Sequence, residues 1–381
     1  MNRIILAFDS FKGSLTSREV ADAFAAGLAT SAPRCEVCKV TIADGGEGTV
    51  EALRNALGGE YVSVAVADPL GRKVMARYAI VDGGATAVME MAAACGLPLL
   101  APDERNPMKT STFGLGEMIA DAIGRGCRNF YIGIGGSATN DCGMGMLAAL
   151  GYRFYNADGM LLDGCGAALR AVARIDASQA NPLLHACSFT VACDVRNPLY
   201  GPDGAACVFA PQKGADEVMV QCLDAGLRHF AGVVRVYNGV ELAGVPGGGA
   251  AGGLGAAFMA LLGAELRPGV DMVLDALHFD AMLRGCDMVV TGEGRIDSQT
   301  LMGKAPAGVL RAATRMGVPV VAVGGSVEWC DALRDSGFAA IFASSDASQP
   351  LHMAMRRDVA VDNLRRVASA VVDFYERNFK I

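Results

Sequence analysis

The chain has 381 residues, of which 52% are hydrophobic and 19% are charged, and its formal net charge is −7. This length predicts two domains at roughly 100–200 residues each, with ample apolar material for their cores. The acidic balance argues against nucleic-acid binding, which needs clustered basic residues. The sequence holds no apolar run of the ~18 residues that a membrane span needs, and its apolar N-terminus is too short for a signal peptide. We therefore expect a cytoplasmic protein with no membrane partner.

Cysteine and histidine give little support for a metal or redox site. The twelve cysteines are scattered through apolar runs, as expected of free buried thiols in a reducing compartment. The only C-x-x-C, Cys35 to Cys38, begins a predicted strand, whereas the redox motif normally sits at a strand-to-helix turn. The four histidines share no ligand spacing, and we interpret them as structural or surface residues: His185, His229, His278 and His352.

The first 60 residues alternate between strand and helix. Residues 4–8 form a continuous apolar run that predicts a buried parallel strand. Thr16 and Glu19 have the spacing of a capping box and open the first predicted helix. Residues 37–42 predict a second strand and residues 49–57 a second helix. This β-α-β-α order is typical of a parallel sheet.

The pattern then changes, and it returns to regular α/β in the last third. Residues 61–91 predict an antiparallel meander of three strands. A helix from Phe113 and a buried strand at 130–134 follow. The later predicted elements are a hairpin at 152–162, strands at 189–192, 288–291, 318–323 and 339–342, a helix after the glycine-rich residues 244–255, and a closing helix at 361–379.

These elements predict an α/β fold with two domains. We assign residues 1–60, 108–150 and 252–381 to a Rossmann-like, doubly wound parallel-sheet domain that is discontinuous in sequence. Residues 61–107 and 151–251 would form a second α+β domain. An interdomain cleft is expected from this arrangement, because pockets favour such interfaces.

Four glycine-rich segments carry acids and hydroxyls, and most of them follow a predicted strand. They are DSFKGS at 9–14, DGGEGT at 44–49, GIGGSATND at 133–141 and TGEGRID at 291–297. Ligands bind at strand ends in α/β sheets, and glycine lets backbone N–H groups close on an anion. Together the segments predict phosphate chemistry on a small polar substrate.

The 133–141 segment fits two kinds of ligand loop. Gly133, Gly135 and Ala138 match the dinucleotide pattern G-x-G-x-x-G/A, but the acid expected about 20 residues later would be Asp158, in a predicted hairpin turn. Its hydroxyl, amide and carboxylate side chains favour a phosphate loop, while a dinucleotide loop and an ordinary tight turn stay open. No Walker motif is present, because Ser298 stands where that motif around Lys304 needs its first glycine.

Other polar residues near strand ends are candidates for binding and catalysis. Lys12 could neutralise a phosphoryl group or hold a carboxylate, and the alternative is a solvated lysine. Asp44 could be a helix cap, but one cap does not explain the whole 44–49 run. Asp194, Glu293 and Asp297 could hold magnesium or orient a hydroxyl, although each alone is more often a structural acid.

Seven segments together resemble the bacterial type I glycerate kinase family across essentially the whole chain. They are the 9–14 segment, residues 43–49, DPLGR at 68–72, RNP at 105–107, residues 135–141, PQKGA at 211–215 and the 291–297 segment. The resemblance implies a Rossmann-like domain with a second α/β domain, and ATP- and Mg²⁺-dependent phosphorylation of D-glycerate, mostly to 2-phosphoglycerate. Cys142 and Cys95 depart from the family pattern, where we expect glycine and serine.

On this basis we predict the site residues by role. The catalytic set is Lys12, Asp194 and Asp297. The substrate-binding set is Ser10, Asp44, Gly45, Gly46, Glu47 and Arg72. The nucleotide-binding set is Gly135, Gly136, Ser137, Ala138, Thr139, Asn140 and Asp141. The metal-binding set is Asp44, Glu293 and Asp297.

Two other functions are compatible with the residues. One is an NAD-dependent dehydrogenase of a small hydroxy acid, which rests on the 133–138 pattern. The other is a non-catalytic sensor of a small acid, which would not explain four acidic glycine segments. The expected partners are the small molecules D-glycerate and ATP. The sequence does not fix the choice between the 2- and 3-hydroxyl, and it leaves homo-oligomerisation open.

Overall fold

The computed structural model describes residues 1–43, 45–46, 48–346 and 348–379. The chain forms two compact units, one made of Met1–Asp44 with Val270–Ile381 and the other of Gly45–Gly269. None of the helices in the described ranges combines the length and apolar character that a membrane crossing requires. The result is an α/β fold with two domains, of which the first is discontinuous in sequence as predicted.

Within these ranges the strands are, in chain order, β1 (Arg3–Phe8), β2 (Glu36–Thr41), β3 (Gly59–Ala67), β4 (Lys73–Val81), β5 (Thr86–Glu90), β6 (Asn129–Gly133), β7 (Arg153–Tyr155), β8 (Arg174–Asp176), β9 (Ser188–Ala192), β10 (Glu265–Arg267), β11 (Met288–Ile296), β12 (Val320–Val327) and β13 (Ala340–Ala343). The α-helices are α1 (Ser17–Ser31), α2 (Thr49–Leu57), α3 (Ala92–Cys95), α4 (Phe113–Gly124), α5 (Met144–Ala149), α6 (Ala205–Phe209), α7 (Glu217–Asn238), α8 (Ala250–Leu262), α9 (Gly269–Ala276), α10 (Phe279–Met282), α11 (Ala305–Arg315), α12 (Asp331–Arg334), α13 (Leu351–Ala354) and α14 (Arg357–Asn378).

The first unit is built on a five-stranded parallel sheet with the order β2-β1-β11-β12-β13. After β1 the chain adds β2 on one side, and after its return it adds β11, β12 and β13 on the other. The pair β1 and β11 is therefore the switch point of a doubly wound sheet. Ligands of such sheets bind outside the carboxyl ends of the strands at this point.

Helices cover both faces of this sheet, because the interior strand β1 alternates its apolar side chains between them. Ile4, Leu6 and Phe8 pack with α1 and α14 on one face. Ile5 and Ala7 pack with α9, α10 and α11 on the other. The sequence prediction of a buried parallel strand at residues 4–8 is thus confirmed, since a strand covered on both faces reads as a continuous apolar run.

The predicted capping box is present at the start of α1. The Thr16 hydroxyl accepts from the Glu19 N–H at 3.3 Å, and the Glu19 carboxylate accepts from the Thr16 N–H at 2.9 Å. These reciprocal bonds satisfy two of the N–H groups that have no partner within the helix. The helix therefore begins one residue after Thr16, directly behind the loop that follows β1.

The second unit is built on a six-stranded mixed sheet with the order β10-β9-β6-β5-β4-β3. The predicted meander is confirmed, because β3, β4 and β5 pair antiparallel. The neighbouring strands β5, β6, β9 and β10 pair parallel, so β5, β6 and β9 end at the same edge of the sheet. That edge carries the 133–141 segment and Asp194.

The predicted domain boundaries differ from the observed units. Residues 45–60, 108–150 and 252–269 were assigned to the Rossmann-like domain, but they belong to the Gly45–Gly269 unit. Strand pairing is the reason, since β6 pairs with β5 and β9 and not with β1. A buried apolar strand has the same sequence pattern in either sheet, so the pattern at 130–134 could not identify its neighbours.

The predicted hairpin at 152–162 is only partly formed. The turn is present, because the Asn156 N–H donates to the Met160 carbonyl at 3.0 Å. However, β7 pairs antiparallel with β8, which comes only after a 3-10 helix at Gly166–Ala171, and an isolated bridge joins Tyr155 to Leu161. The local turn was readable from its Asn-Ala-Asp-Gly sequence, while the strand partner was not.

Candidate active site

Two predicted segments of the first unit lie at its switch point. The register aligns Phe8 of β1 with Gly292 of β11, and the Asp9 N–H donates to the Gly292 carbonyl at 2.9 Å. Residues 9–12 therefore leave the sheet beside Glu293, which lies on the adjacent strand β11 near its carboxyl end. The structure brings the half-buried Ser10 and the exposed Lys12 to this edge. Lys12 forms no ion pair with any residue that the structure describes.

Glu293 is a buried carboxylate held by two side chains. Its Oε1 accepts from the Thr300 hydroxyl at 2.7 Å, and its Oε2 lies 3.1 Å from Nζ of Lys304. Burial raises the pKa of Glu293, while the bond from Thr300 and the charge of Lys304 oppose that shift. In the sequence, Lys304 was considered only as part of a Walker motif that is not present. The ion pair between Lys304 and Glu293, a predicted metal ligand, was therefore not predicted.

Asp297 caps the short 3-10 helix at Ser298–Leu301. Its Oδ1 accepts from the Gln299 N–H at 2.8 Å, and its Oδ2 lies 3.3 Å from Nε of Arg295. The carboxylate thus has a structural role of its own at the end of β11. Asp297 is close to Glu293 in the sequence, but the two carboxylates have different hydrogen-bond and ion-pair partners.

The 44–49 segment is described only in part. Asp44 and Glu47, predicted for substrate and metal binding, lie outside the described residues. Gly45 and Gly46 belong to the second unit, where a methyl group on Gly133 would lie 2.3 Å from the Gly45 carbonyl oxygen. No side chain fits in that space, which explains the glycine at the end of β6. The structure thus brings Gly45 and Gly46 to the same edge as the 135–141 loop.

The 135–141 loop follows β6 and is tied to the neighbouring chain by backbone bonds. The Gly136 carbonyl accepts from the Leu97 N–H at 2.9 Å, and the Ala138 N–H donates to the Cys95 carbonyl at 2.9 Å. On the other side a methyl group at Gly252 would lie 2.2 Å from the Thr139 carbonyl oxygen. The loop is therefore held between the end of α3 and the start of α8.

Asp141 is fully buried and organises the end of this loop. Its Oδ2 accepts from the Thr112 N–H at 2.8 Å, the Thr112 hydroxyl at 2.7 Å and the Gly145 N–H at 3.1 Å, and its Oδ1 accepts from the Gly143 N–H at 3.2 Å. Burial raises the pKa of Asp141, and these bonds act against the rise. The structure thus gives Asp141 a role in holding the loop, and its predicted contact with a nucleotide stays a prediction.

Lys213 reaches the centre of the loop from the short 3-10 helix Pro211–Lys213. The side chain is only 2% exposed, and its Nζ donates to Oγ of Ser137 and to the carbonyl oxygen of Thr139, both at 2.7 Å. Burial lowers the pKa of Lys213 to about 7, and the charge of Asp141 acts in the opposite direction. Lysine is almost never fully buried unless it is paired, and perturbed pKa values cluster at functional sites, so this amine is a candidate functional group of the loop.

Three polar atoms beside Lys213 are also buried. Oγ1 of Thr139 and both side-chain polar atoms of Asn140 have no hydrogen-bond partner among the described residues. Buried polar groups are usually paired, and exceptions concentrate where ligands or functional rearrangements occur. The loop therefore combines a buried cation with hydroxyl and amide groups, and its role as an anion-binding loop stays a prediction.

Sequence analysis missed the role of Lys213, although a signal was present. The residue lies in the 211–215 segment, which contributed to the family resemblance but carried no assigned function. Glu90 was missed as well. It ends β5 opposite Gly133, and its Oε1 accepts from the Val50 N–H at the start of α2 at 3.1 Å.

Asp194 follows β9, the strand beside the one that leads into the loop. The register aligns Gly133 of β6 with Ala192 of β9, so Asp194 and the 135–141 loop leave adjacent strands at one edge. The side chain is exposed, and its Oδ1 accepts from the Gly269 N–H at 2.9 Å. The structure therefore brings together a carboxylate and the predicted phosphate loop within the second unit.

Arg72 is occupied by two carboxylates. Its Nε lies 2.6 Å from Oδ2 of Asp68, and its Nη1 lies 2.6 Å from Oε1 of Glu104. Hydrogen bonds to Glu104 and Asp68 raise the pKa of Arg72 above its usual range. A guanidinium with this partnership stabilises the turn after β3, and the structure does not join it to the 135–141 loop.

The remaining sequence predictions concern metals and thiols. All twelve cysteines are free, as predicted. In the parts of the chain that the structure describes, no three His, Cys, Asp or Glu side chains form a group that could hold a metal ion. Magnesium does not require such a group, because it keeps several waters and uses one or two carboxylates with the phosphates of its substrate.

Comparisons with known proteins give one consistent family. The protein-family model described as "Glycerate kinase family" matches residues 4–376 of this chain. Glycerate 2-kinase of Escherichia coli (strain K12) is 44% identical over 367 residues, which are 96% of this chain and 96% of that protein. Glycerate kinase of Bacillus cereus (strain ATCC 10987 / NRS 248) is 42% identical over 370 residues, covering 97% of each chain.

A solved structure agrees with these sequence comparisons. The crystal structure of a Salmonella typhimurium LT2 protein assigned as glycerate kinase 2 superposes with a TM-score of 0.90 at 43% identity, and the match covers 100% of both chains. The fold, the order of the glycine segments and the whole-length similarity therefore point the same way. This chain belongs to the glycerate kinase family.

Proposed function

We propose that this protein transfers the γ-phosphoryl group of ATP to the 2-hydroxyl of D-glycerate, which gives 2-phosphoglycerate and ADP. The observation that carries the proposal is the 135–141 loop with the buried amine of Lys213, at the carboxyl edge of a parallel sheet. Relatives named glycerate kinase and glycerate 2-kinase align along nearly the whole chain and support the same reaction. They also favour a kinase over a dehydrogenase or a sensor.

Within the second unit, we assign the 135–141 loop to the nucleotide and Asp194 to the base. Backbone N–H groups and the hydroxyls of Ser137 and Thr139 bind the ATP phosphates, because oriented amides in a glycine-rich loop form a concave site for anions. Asp194, just after the adjacent strand β9, orients the attacking hydroxyl and takes its proton. Gly45 and Gly46 border the same edge and contact the glycerate.

In the transfer, one bond to the γ-phosphorus forms and another breaks. The glycerate hydroxyl oxygen forms a bond to the γ-phosphorus, and the bond from that phosphorus to the β–γ bridging oxygen breaks. ADP leaves with the electron pair, and the hydroxyl proton passes to the carboxylate of Asp194. Positioning and charge stabilisation account for most of the catalysis of such transfers.

Within the first unit, the switch point carries an exposed cation and two carboxylates, those of Glu293 and Asp297. Lys12 and Ser10 bind the carboxylate of glycerate or the charge that develops on the phosphoryl group, because Lys12 is exposed at a strand end. We retain Asp44, Glu47 and Asp297 as proposed contacts to substrate or metal. Arg72 is a weaker candidate, since Asp68 and Glu104 already hold its guanidinium.

Mg²⁺ is the expected companion of ATP. When bound, it would neutralise the phosphate charge that develops during transfer. The donor set is compatible with this role, because Glu293 offers a carboxylate with raised pKa at a strand end and Asp297 offers a second one nearby in the chain. Binding at Glu293 would compete with Lys304, whose Nζ lies 3.1 Å from Oε2.

The direct test measures ADP formation by the purified protein with D-glycerate, ATP and MgCl2. We expect turnover that requires both D-glycerate and Mg²⁺, and we expect EDTA to abolish it. Asp194→Asn should lower kcat strongly, whereas the exposed control Asp216→Asn, at the start of α7, should leave kcat unchanged. ADP formation that is independent of D-glycerate would contradict the proposed acceptor.

A further inference from the structure

The amine of Lys213 is positioned to sense what binds on the 135–141 loop. Its Nζ donates to Oγ of Ser137 and to the Thr139 carbonyl oxygen at 2.7 Å each, and the side chain is 2% exposed. In its ammonium form Lys213 can only donate, so in that form the Ser137 oxygen is the acceptor in their bond. The hydrogen of the Ser137 hydroxyl is then left to donate to another group.

Ser137 therefore connects the buried amine to the surface of the loop. Its residue is 9% exposed, and it lies in the segment proposed to hold the ATP phosphates. A phosphate oxygen that accepts from the Ser137 hydroxyl would lie within roughly 6 Å of Nζ, as two consecutive hydrogen bonds span that distance at most. The negative charge would stabilise the ammonium form without touching it.

We propose that Lys213 is a positioning residue that couples nucleotide binding to the uptake of one proton, with the bound triphosphate converting the neutral amine to the ammonium form. The inference rests on the proposed function, because it takes the 135–141 loop to be the nucleotide site. It goes further by assigning a residue and a linked proton that the phosphoryl transfer does not itself require.

The surroundings of the amine support this proton linkage. Burial lowers the pKa of Lys213 to about 7, so the free protein holds much of this amine in its neutral form above that pH. Among its neighbours, Asp141 on the loop favours the ammonium form, and Arg105 packs against the adjacent Gly214. The helix α8 carries no charged side chain, and α3 contributes only the buried thiol of Cys95.

The expected size of the effect depends on pH. At pH 8 an amine with a pKa of about 7 is protonated in roughly a tenth of the molecules. A unit negative charge at ~6 Å and an effective dielectric constant of ~20 raises the pKa of the amine by roughly 2. ATP binding should therefore take up about 0.8 proton at pH 8 and only about 0.1 proton at pH 6.

Calorimetric titration of the full chain with Mg²⁺-ATP, in the absence of glycerate, tests the proposal. Titrations in two buffers of different ionisation enthalpy give the number of protons taken up. The wild type should take up a proton at pH 8 and almost none at pH 6. Equal uptake at both pH values, or none at pH 8, would overturn the proposal without any variant.

Three variants test the assignment to Lys213. Lys213→Met should bind ATP at least tenfold more weakly and should lose the uptake at pH 8. Lys213→Arg should keep more of the affinity and also lose the uptake, because an arginine stays protonated. The control Lys73→Met, an exposed lysine at the start of β4, should keep both. Uptake that persists in Lys213→Met would refute the role of this residue.

The readouts separate this inference from the proposed function. ADP formation with glycerate but no proton uptake on ATP binding refutes the inference alone. Proton uptake on ATP binding with no ADP formation refutes the proposed acceptor and leaves the inference standing. If Mg²⁺-ATP does not bind at all, both are wrong.

Discussion

Replacement of Lys213 by methionine should change how the stability of the protein depends on pH. In the folded protein the pKa of Lys213 falls from its ordinary 10.5 to about 7, because the amine is buried. Between these two values the unfolded chain binds more protons at this position than the folded protein does. The contribution of Lys213 to the free energy of unfolding is therefore present above the unfolded pKa and is lost as the pH falls towards the folded pKa.

The two pKa values set the magnitude of this effect. With 10.5 in the unfolded chain and about 7 in the folded protein, the linkage integral gives a gain of about 2 kcal/mol in the free energy of unfolding between pH 7 and pH 9. Methionine has no titrating group, so this gain disappears in the variant. Methionine also leaves Oγ of Ser137 and the Thr139 carbonyl without their donor, at a cost of ~1–3 kcal/mol each that does not depend on pH.

Urea unfolding of both proteins at pH 7, 8 and 9 measures the difference. The destabilisation caused by Lys213→Met should grow by about 2 kcal/mol from pH 7 to pH 9. The exposed control Lys73→Met should show no such growth. A difference between wild type and Lys213→Met that stays constant over this pH range would show that the amine titrates normally, and the reasoning about its burial would be refuted.

Three further predictions concern other residues of the site. Asp194→Asn should lower kcat at least 100-fold in steady-state assays, since a missing base costs typically 10²–10⁴-fold, while the KM for ATP changes less than threefold. A kcat within a few-fold of wild type would exclude the base assignment. Asp141→Asn should lower the free energy of unfolding by about 1–3 kcal/mol in urea titrations, because an amide N–H would face the N–H donors that the carboxylate now accepts from; an unchanged midpoint would contradict the structural role of Asp141. Lys12→Ala should raise the KM for D-glycerate at least tenfold, and Arg72→Ala should raise it less than threefold, because only Arg72 is already held by carboxylates. A larger rise in KM for Arg72→Ala than for Lys12→Ala would make Arg72 the cation that binds the substrate.

The local elements were predictable because each has a sequence signal that acts over a few residues. The apolar run at β1, the capping box at Thr16 and the meander from β3 to β5 all appear where the pattern indicated. The assignment of β6 to a sheet was not predictable, because a buried strand reads the same beside β1 as beside β9. The wrong assignment of this one strand carried residues 108–150 into the wrong domain.

The candidate site also contains residues that were predictable from the sequence and residues that were not. Side-chain chemistry was enough to identify the 135–141 loop as a candidate anion site, and the glycine at 133 has its explanation in the approach of Gly45. Lys213 could not be placed, because it comes from a segment more than 70 residues away and a lysine is by default a surface residue. Arg72 looked like a free cation in the sequence, since its pairing with Glu104 joins residues 32 positions apart.

The central claim is that the chain phosphorylates D-glycerate, and the identity of the product tests it most directly. The reaction of purified protein with ATP, Mg²⁺ and D-glycerate should be coupled to enolase, either alone or together with phosphoglycerate mutase. Transfer to the 2-hydroxyl should give phosphoenolpyruvate with enolase alone, because enolase accepts 2-phosphoglycerate directly. Product only when the mutase is added would contradict transfer to the 2-hydroxyl, and no phosphoenolpyruvate under either condition would contradict the glycerate kinase activity itself.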